Sequence, residues 1–186
     1  MKTKFSLSLL ALIICEGIWG QSMSSQTLAS YIPKDYSILD SAQGDLNGDG
    51  YKDWVLILKS KYEEFNTDTT RPLLLLLGTK RGVYTLFAKN DSVVLCKGCG
   101  GVFGDPYEGI TVKKGYFEIH HYGGSNWRWT RNISFKYNSI TKGFLLHRDS
   151  GISYHTSDPN KSKTTIINKK DFDKLPFSKY SYEKSQ

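Results

Sequence analysis

The 186-residue chain reads as a mainly β protein with short helices, a single domain built on an antiparallel sheet or meander. Two observations predict this. Short apolar runs such as Trp54–Leu58, Leu73–Leu77, Val83–Ala88 and Tyr116–Tyr122 recur between brief turns rich in Gly, Asn and Lys. Within residues 127–137, Trp127, Trp129, Ile133, Phe135 and Tyr137 share one phase and Arg128, Thr130, Asn132, Ser134 and Lys136 the other. That period of two marks a half-buried strand, and Arg131 is the single exception on its apolar face.

The N-terminus carries Lys2 and Lys4, then the apolar stretch Phe5 to Cys15, then Gly17 to Gln21. This predicts a secretory leader over residues 1–20, cleaved near Gly20, with the β domain and a polar C-terminal extension occupying 21–186. The stretch is too short to span a bilayer, and Leu12-Ile13-Ile14 lacks the small residue that precedes a lipidated cysteine. The expected location is therefore secreted or periplasmic, with no transmembrane segment once the leader is gone. The formal charge of +7 admits acidic partners such as anionic glycans. The late lysines, however, alternate with Ser, Thr and Asn rather than with stacking aromatics, so nucleic acid is not expected.

After the leader, Thr27 to Ile32 suits one or two helical turns stopped by Pro33, and Tyr36 to Asp40 a short extended segment. Then comes Asp45-Leu46-Asn47-Gly48-Asp49-Gly50-Tyr51-Lys52-Asp53, with oxygen side chains at alternate positions and glycine where the backbone turns. A hard cation such as Ca²⁺ takes oxygens from such a run: side chains of Asp45, Asn47 and Asp49, the Tyr51 carbonyl, and Asp53 directly or through water. The alternative is a metal-free Asn-Gly/Asp-Gly turn. An EF-hand would need Glu where Leu56 stands. The run from Gly44 to about Leu58 instead resembles the calcium loops of FG-GAP and VCBS repeats, the blades of integrin-type propellers. That resemblance implies Asp45, Asn47, Asp49 and Asp53 as ligands and a loop that pins the start of a strand. No second copy occurs, and a propeller needs several blades of about 45 residues. A full propeller is therefore not expected.

Trp54 to Leu58 is continuously apolar and predicts a strand buried on both faces. Lys59 to Arg71 reads as a surface loop, Leu73–Leu77 and Val83–Ala88 as a hairpin, Asn90-Asp91 as a turn, and Val93 to Leu95 as a lead into Cys96-Lys97-Gly98-Cys99. With no second Cys pair for a thiolate metal site, an oxidising compartment makes a short-loop disulfide the leading reading, with a redox pair as alternative. Gly98 to Gly109 is too glycine-rich for a regular element. Strands are expected over Ile110–Val112, Tyr116–Tyr122, Trp127–Tyr137 and Phe144–His147, and a short helix at Asp171–Leu175.

Two clusters invite chemistry. Glu118, His120 and Tyr122 share one strand face and His121 the other, so an exported hydrolase could use His120 or His121 with Glu118 or Asp105. No Gly-x-Ser-x-Gly elbow or His-Glu-x-x-His helix accompanies them. Tyr122, Trp127, Arg128 and Trp129 form an aromatic corner suited to a sugar or a protein partner, although the phase of both tryptophans predicts that they point into the core. The function expected is a calcium-stabilised, non-catalytic binding module for a protein or glycan outside the cytoplasm.

Overall fold

The structure, a computed structural model, describes residues 28–167 and 169–182. The expected leader at 1–20, with Cys15, and the terminal Lys184-Ser185-Gln186 lie outside them. A 3₁₀ turn at Leu28–Tyr31 opens the described chain. Nine strands follow: β1 Tyr36–Gly44, β2 Asp53–Ser60, β3 Arg71–Gly78, β4 Tyr84–Val94, β5 Tyr107–Lys113, β6 Tyr116–Gly124, β7 Trp127–Asn138, β8 Gly143–His155 and β9 Asp158–Ile166. The first four form one antiparallel sheet and the last five another, each in sequence order. Neither closes into a barrel or propeller, and the mainly β, single-domain expectation holds.

The inner faces of the two sheets meet on one core, in which Val55, Ile57, Leu73 and Leu75 of the first pack with Phe117, Ile119, Ile133 and Phe135 of the second. Phe117 and Phe135 stack with ring centroids 5.3 Å apart, and Phe177 from the C-terminal segment stands edge-on to both. The other side chains of β2 and β3, Leu56, Leu58, Leu74 and Leu76, are buried beneath Leu28, Tyr31 and Ile32. Both faces of these strands are thus covered, which is why their sequences run apolar without alternation. Pro72, which donates no ladder hydrogen bond, sits where the β3–β4 register shifts between Arg71 and Leu73.

Arg131, the exception on the apolar face of β7, is buried against a partner on β8. Its Nε and Nη2 donate to Asp149 at 2.8 and 2.7 Å, and the Tyr180 hydroxyl donates to the same carboxylate at 2.8 Å. Burial opposes the charge, but the paired carboxylate and phenol hold the guanidinium more firmly protonated than usual.

Three expectations are corrected. Asn90-Asp91 does not end a strand: β4 continues to Val94, and Asn90 Nδ2 donates to the carbonyls of Phe177 and Tyr180 at 2.6 and 2.9 Å. The glycine-rich segment is not wholly irregular, because β5 already begins at Tyr107. The strand expected to end at His147 does not end there. β8 runs on to His155, β9 pairs with it, and the expected helix at Asp171–Leu175 is a 3₁₀ turn at Lys169–Asp171 continued by turns.

Candidate functional site

The acidic run between β1 and β2 folds as a tight loop with Gly48 and Gly50 at φ 81° and 88°, a conformation that a Cβ disfavours. Its polar side chains are turned onto its own backbone. Asp45 accepts the N–H groups of Gly48 and Gly50 at 2.7 and 3.2 Å, Asn47 Oδ1 accepts Asp49 N–H at 3.0 Å, and Asp49 Oδ1 accepts Tyr51 N–H at 2.8 Å. The amide of Asn47 donates to Asp49 Oδ2 at 2.9 Å, and Lys114 Nζ lies 3.7 Å from Asp45.

Asp53 behaves differently. It is fully buried, and its two oxygens accept the N–H groups of Leu46 at 2.7 Å and Gly78 at 2.9 Å. Burial raises its pKa, the two backbone donors oppose that, and the charge of Asp49 adds to it. Gly78 has to be glycine here, because a Cβ would stand 2.1 Å from the Lys52 carbonyl oxygen.

Among the described residues no three His, Cys, Asp or Glu side chains converge as a metal-holding group. The donor chemistry is nonetheless that of a hard cation, since every carboxylate oxygen engaged by one N–H keeps a second lone pair. Asn47 is the side chain whose amide would have to turn its oxygen outward.

The second site is assembled by a loop. Cys96 and Cys99 form a disulfide with an S–S distance of 2.03 Å, closing the 3₁₀ turn Lys97–Gly100. Just beyond it Gly101 bridges to Gly124, and Val102 N–H donates to the Gly124 carbonyl at 3.1 Å. Bare glycines permit this approach: a Cβ on Gly101 would meet Gly124 O at 2.9 Å, and one on Gly123 would strike the Trp129 indole at 2.6 Å. The far end of the loop is fixed by Arg71, fully buried, which clamps Asp105 with two bonds of 2.6 Å and donates from Nε to Glu63 at 2.6 Å. Burial pushes the Asp105 carboxyl up, yet the Arg71 fork and Tyr107 N–H bring it below its ordinary value.

Held at both ends, the loop lays Phe103 beside Tyr122, with centroids 5.5 Å apart, and under the Arg128 guanidinium at 3.8 Å. Trp129, expected in the core, is only half-buried and does not join the core cluster. Trp127 is not core: it is 60% exposed at the first residue of β7, edge-on to His155 at 5.2 Å. Of the predicted corner, Tyr122 and Arg128 therefore lie together on the outer face, Trp127 at the tip, and Trp129 beneath. Sequence reading missed Phe103, since it lies far from Arg128 along the chain and only the glycine contacts join them.

Of the residues of the hydrolase alternative, Glu118 and His120 are neighbours, with Glu118 Oε1 3.8 Å from His120 Nδ1, whereas His121 and Asp105 lie elsewhere. His120 Nε2 bonds Thr111 Oγ1 at 2.8 Å and Nδ1 bonds Asn132 Oδ1 at 3.1 Å, so both ring nitrogens are engaged, while Glu118 accepts the Tyr116 hydroxyl at 2.5 Å. His121 points into the core with Nε2 accepting Leu95 N–H at 3.3 Å, and burial lowers its pKa to about 3. Asp105 is taken up by Arg71.

Compared with known protein families, curated proteins and solved structures, the chain matches none. Among the described residues no helix is long and apolar enough to cross a membrane.

Proposed function

We propose that this chain is an exported, calcium-stabilised, non-catalytic binding module for a protein or glycan in the cell envelope or extracellular space. The corner of Phe103, Tyr122, Trp127 and Arg128 is its contact surface. The observation that carries the reading is the exposure of two large aromatics, Trp127 at 60% and Phe103 at 47%, on a hairpin and loop fixed by a disulfide, glycine contacts and the Arg71 clamp. Aromatic and arginine side chains dominate binding energy where they are already immobile, because little rotamer freedom remains to be lost. The hydrolase alternative gains no comparable support: Glu118 and His120 are adjacent but already engaged by Tyr116, Thr111 and Asn132, and neither His121 nor Asp105 joins them.

Calcium would be held by Asp45, Asn47 and Asp49 with the Tyr51 carbonyl, backed by Asp53, and its role is structural. The separation of carboxylates from counter-charge supports this, for Lys114, itself largely exposed, is the one cation paired with the loop among the described residues. With few carboxylates on an exposed loop, the affinity belongs to the extracellular range, roughly 10⁻⁴ to 10⁻³ M.

The test is capture of partners from the source's own envelope and extracellular fractions by immobilised protein. Phe103→Ala with Trp127→Ala should lose the captured species while keeping the parent's melting temperature. Undiminished capture by that folded double variant would rule out the corner as the contact surface.

A further inference from the structure

We infer that the occupant of this surface is an acidic polysaccharide, a linear glycan carrying carboxylates, received by Arg128 near one end of the outer face of the second sheet and by Arg148 midway along it. The inference rests on the binding-module reading and names its partner class.

Arg128 is the starting point. Its guanidinium is stacked on Phe103 at 3.8 Å, yet it makes no ion pair among the described residues, and its Nη1 is buried with no hydrogen-bond acceptor. A stacked guanidinium is a planar fork already oriented, and a carboxylate is the acceptor that matches it with two parallel bonds. On the same face of β8 lies Arg148, exposed, whose Nε donates only to the Ser150 hydroxyl at 3.1 Å and which also makes no ion pair among the described residues. Arg128 pairs with Tyr154 and Arg148 with Ser134 in the β7–β8 ladder. The two cations are therefore separated by roughly 20 Å at the usual rise per strand residue.

Between them the face is lined with hydroxyls and amides. A groove of about 310 Å³ runs over Thr130, Asn132, Ser150 and Thr164, with Ile152 as its apolar member. A protein anchor would meet few apolar contacts there, whereas a polyhydroxylated chain finds donors and acceptors along its length. Glu118 is the one carboxylate on the groove wall. It already accepts the Tyr116 hydroxyl, whose pKa is pushed up to about 12 by burial first and by this carboxylate second. The net charge of +7 favours the approach of a polyanion as a whole. At the Arg128 end, Phe103 and Tyr122 offer ring faces for a sugar.

The experiment is a calorimetric titration of the intact folded chain with oligogalacturonate, a neutral cello-oligosaccharide of equal length, and polyglutamate. Oligogalacturonate should bind, with affinity falling as salt rises. Arg128→Gln should weaken it about tenfold or more, Arg148→Gln should weaken it less, and Arg128→Lys should recover only part of the loss, because the charge returns without the fork. Lys80→Gln, on a distant turn, should leave it unchanged. Equal uronate affinity in parent, Arg128→Gln and Arg148→Gln would overturn the inference by reducing the binding to general attraction between charges. So would tighter binding of polyglutamate, or a preference for the neutral sugar that depends on Phe103; in either case the binding-module reading would survive. No binding of any probe, together with partner capture insensitive to Phe103 and Trp127, would remove both.

Discussion

The carboxylate of Asp53 accepts the backbone N–H of Gly78 at 2.9 Å, across the ends of β2 and β3. Through its other oxygen it holds Leu46, a fully buried residue of the acidic loop. One side chain thereby ties the loop to the adjacent strand end, whether or not an ion is bound. In chelator Asp53→Ala should still cost about 2 to 4 kcal/mol, since two buried donors lose their acceptor even with no ion bound. Denaturant midpoints with and without EDTA measure it; a cost under about 0.5 kcal/mol would show that water replaces the carboxylate.

Asp49 lies on the exposed side of the same loop, so its replacement separates metal binding from folding. In millimolar Ca²⁺ the parent should melt at a higher temperature than in chelator, and Asp49→Ala should show no such rise. Equal calcium-induced shifts in parent and variant would eliminate the ligand set Asp45, Asn47 and Asp49.

Arg71→Met should be severely destabilising, by about 3 to 5 kcal/mol, because Glu63 is left buried without its cation and Asp105 loses its clamp. Exchange of amide hydrogens at Gly100–Gly104 should accelerate as well, for the loop would be held only at its disulfide end. Protection unchanged there would mean that the clamp does not position Phe103.

His121 gives the protein an acid limit. Its folded pKa is lowered, mainly by burial, from 6.5 to about 3. The unfolded chain therefore binds this proton first, and the contribution is complete above 6.5 and is lost progressively as pH falls toward 3. A variant such as His121→Gln should start from lower stability and flatten the decline between pH 6.5 and 4. Parallel stability profiles for parent and variant across that window would exclude His121 as the source.

Reduction of the Cys96–Cys99 bond, or Cys96→Ser with Cys99→Ser, closes no long loop and should cost about 2 kcal/mol. Loss of uronate or partner binding should exceed what that stability change explains, because the bond sits beside the turn that carries Phe103. A variant with unaltered binding would confine the disulfide to stability.

The parts of the fold legible in the sequence are those where burial is one-sided or complete. Leu73–Leu77 read as a buried strand, and the alternation of β7 announced its two faces, with Arg131 an anomaly that Asp149, Tyr180 and the Tyr182 ring resolve. The second half of β8 and all of β9 were illegible because Ser150, Ser153, Lys161, Lys163 and Thr164 write no apolar period, and because Gly151, which sounds like a turn, sits under the Thr130 carbonyl with no room for a Cβ. Asn90-Asp91 misled for a related reason: Asn90 spends its amide on a distant segment rather than on a local turn. Of the candidate site, the residue types of the corner could be read along β6 and β7. Its missing member, Phe103, is brought in by backbone contacts between glycines that leave no pattern along the chain.

The C-terminal segment acts as a seam. Phe177 wedges against Phe117 and Phe135, Asn90 holds two of the segment's carbonyls, and Tyr180 caps the buried Asp149 carboxylate. A chain stopped before Phe177 would uncover the central aromatic stack and leave the buried Arg131–Asp149 pair without its Tyr180 cap. It would emerge as a sticky, aggregating fragment, so expression tags belong after Tyr182, and trimming this stretch to help crystallisation would be counterproductive.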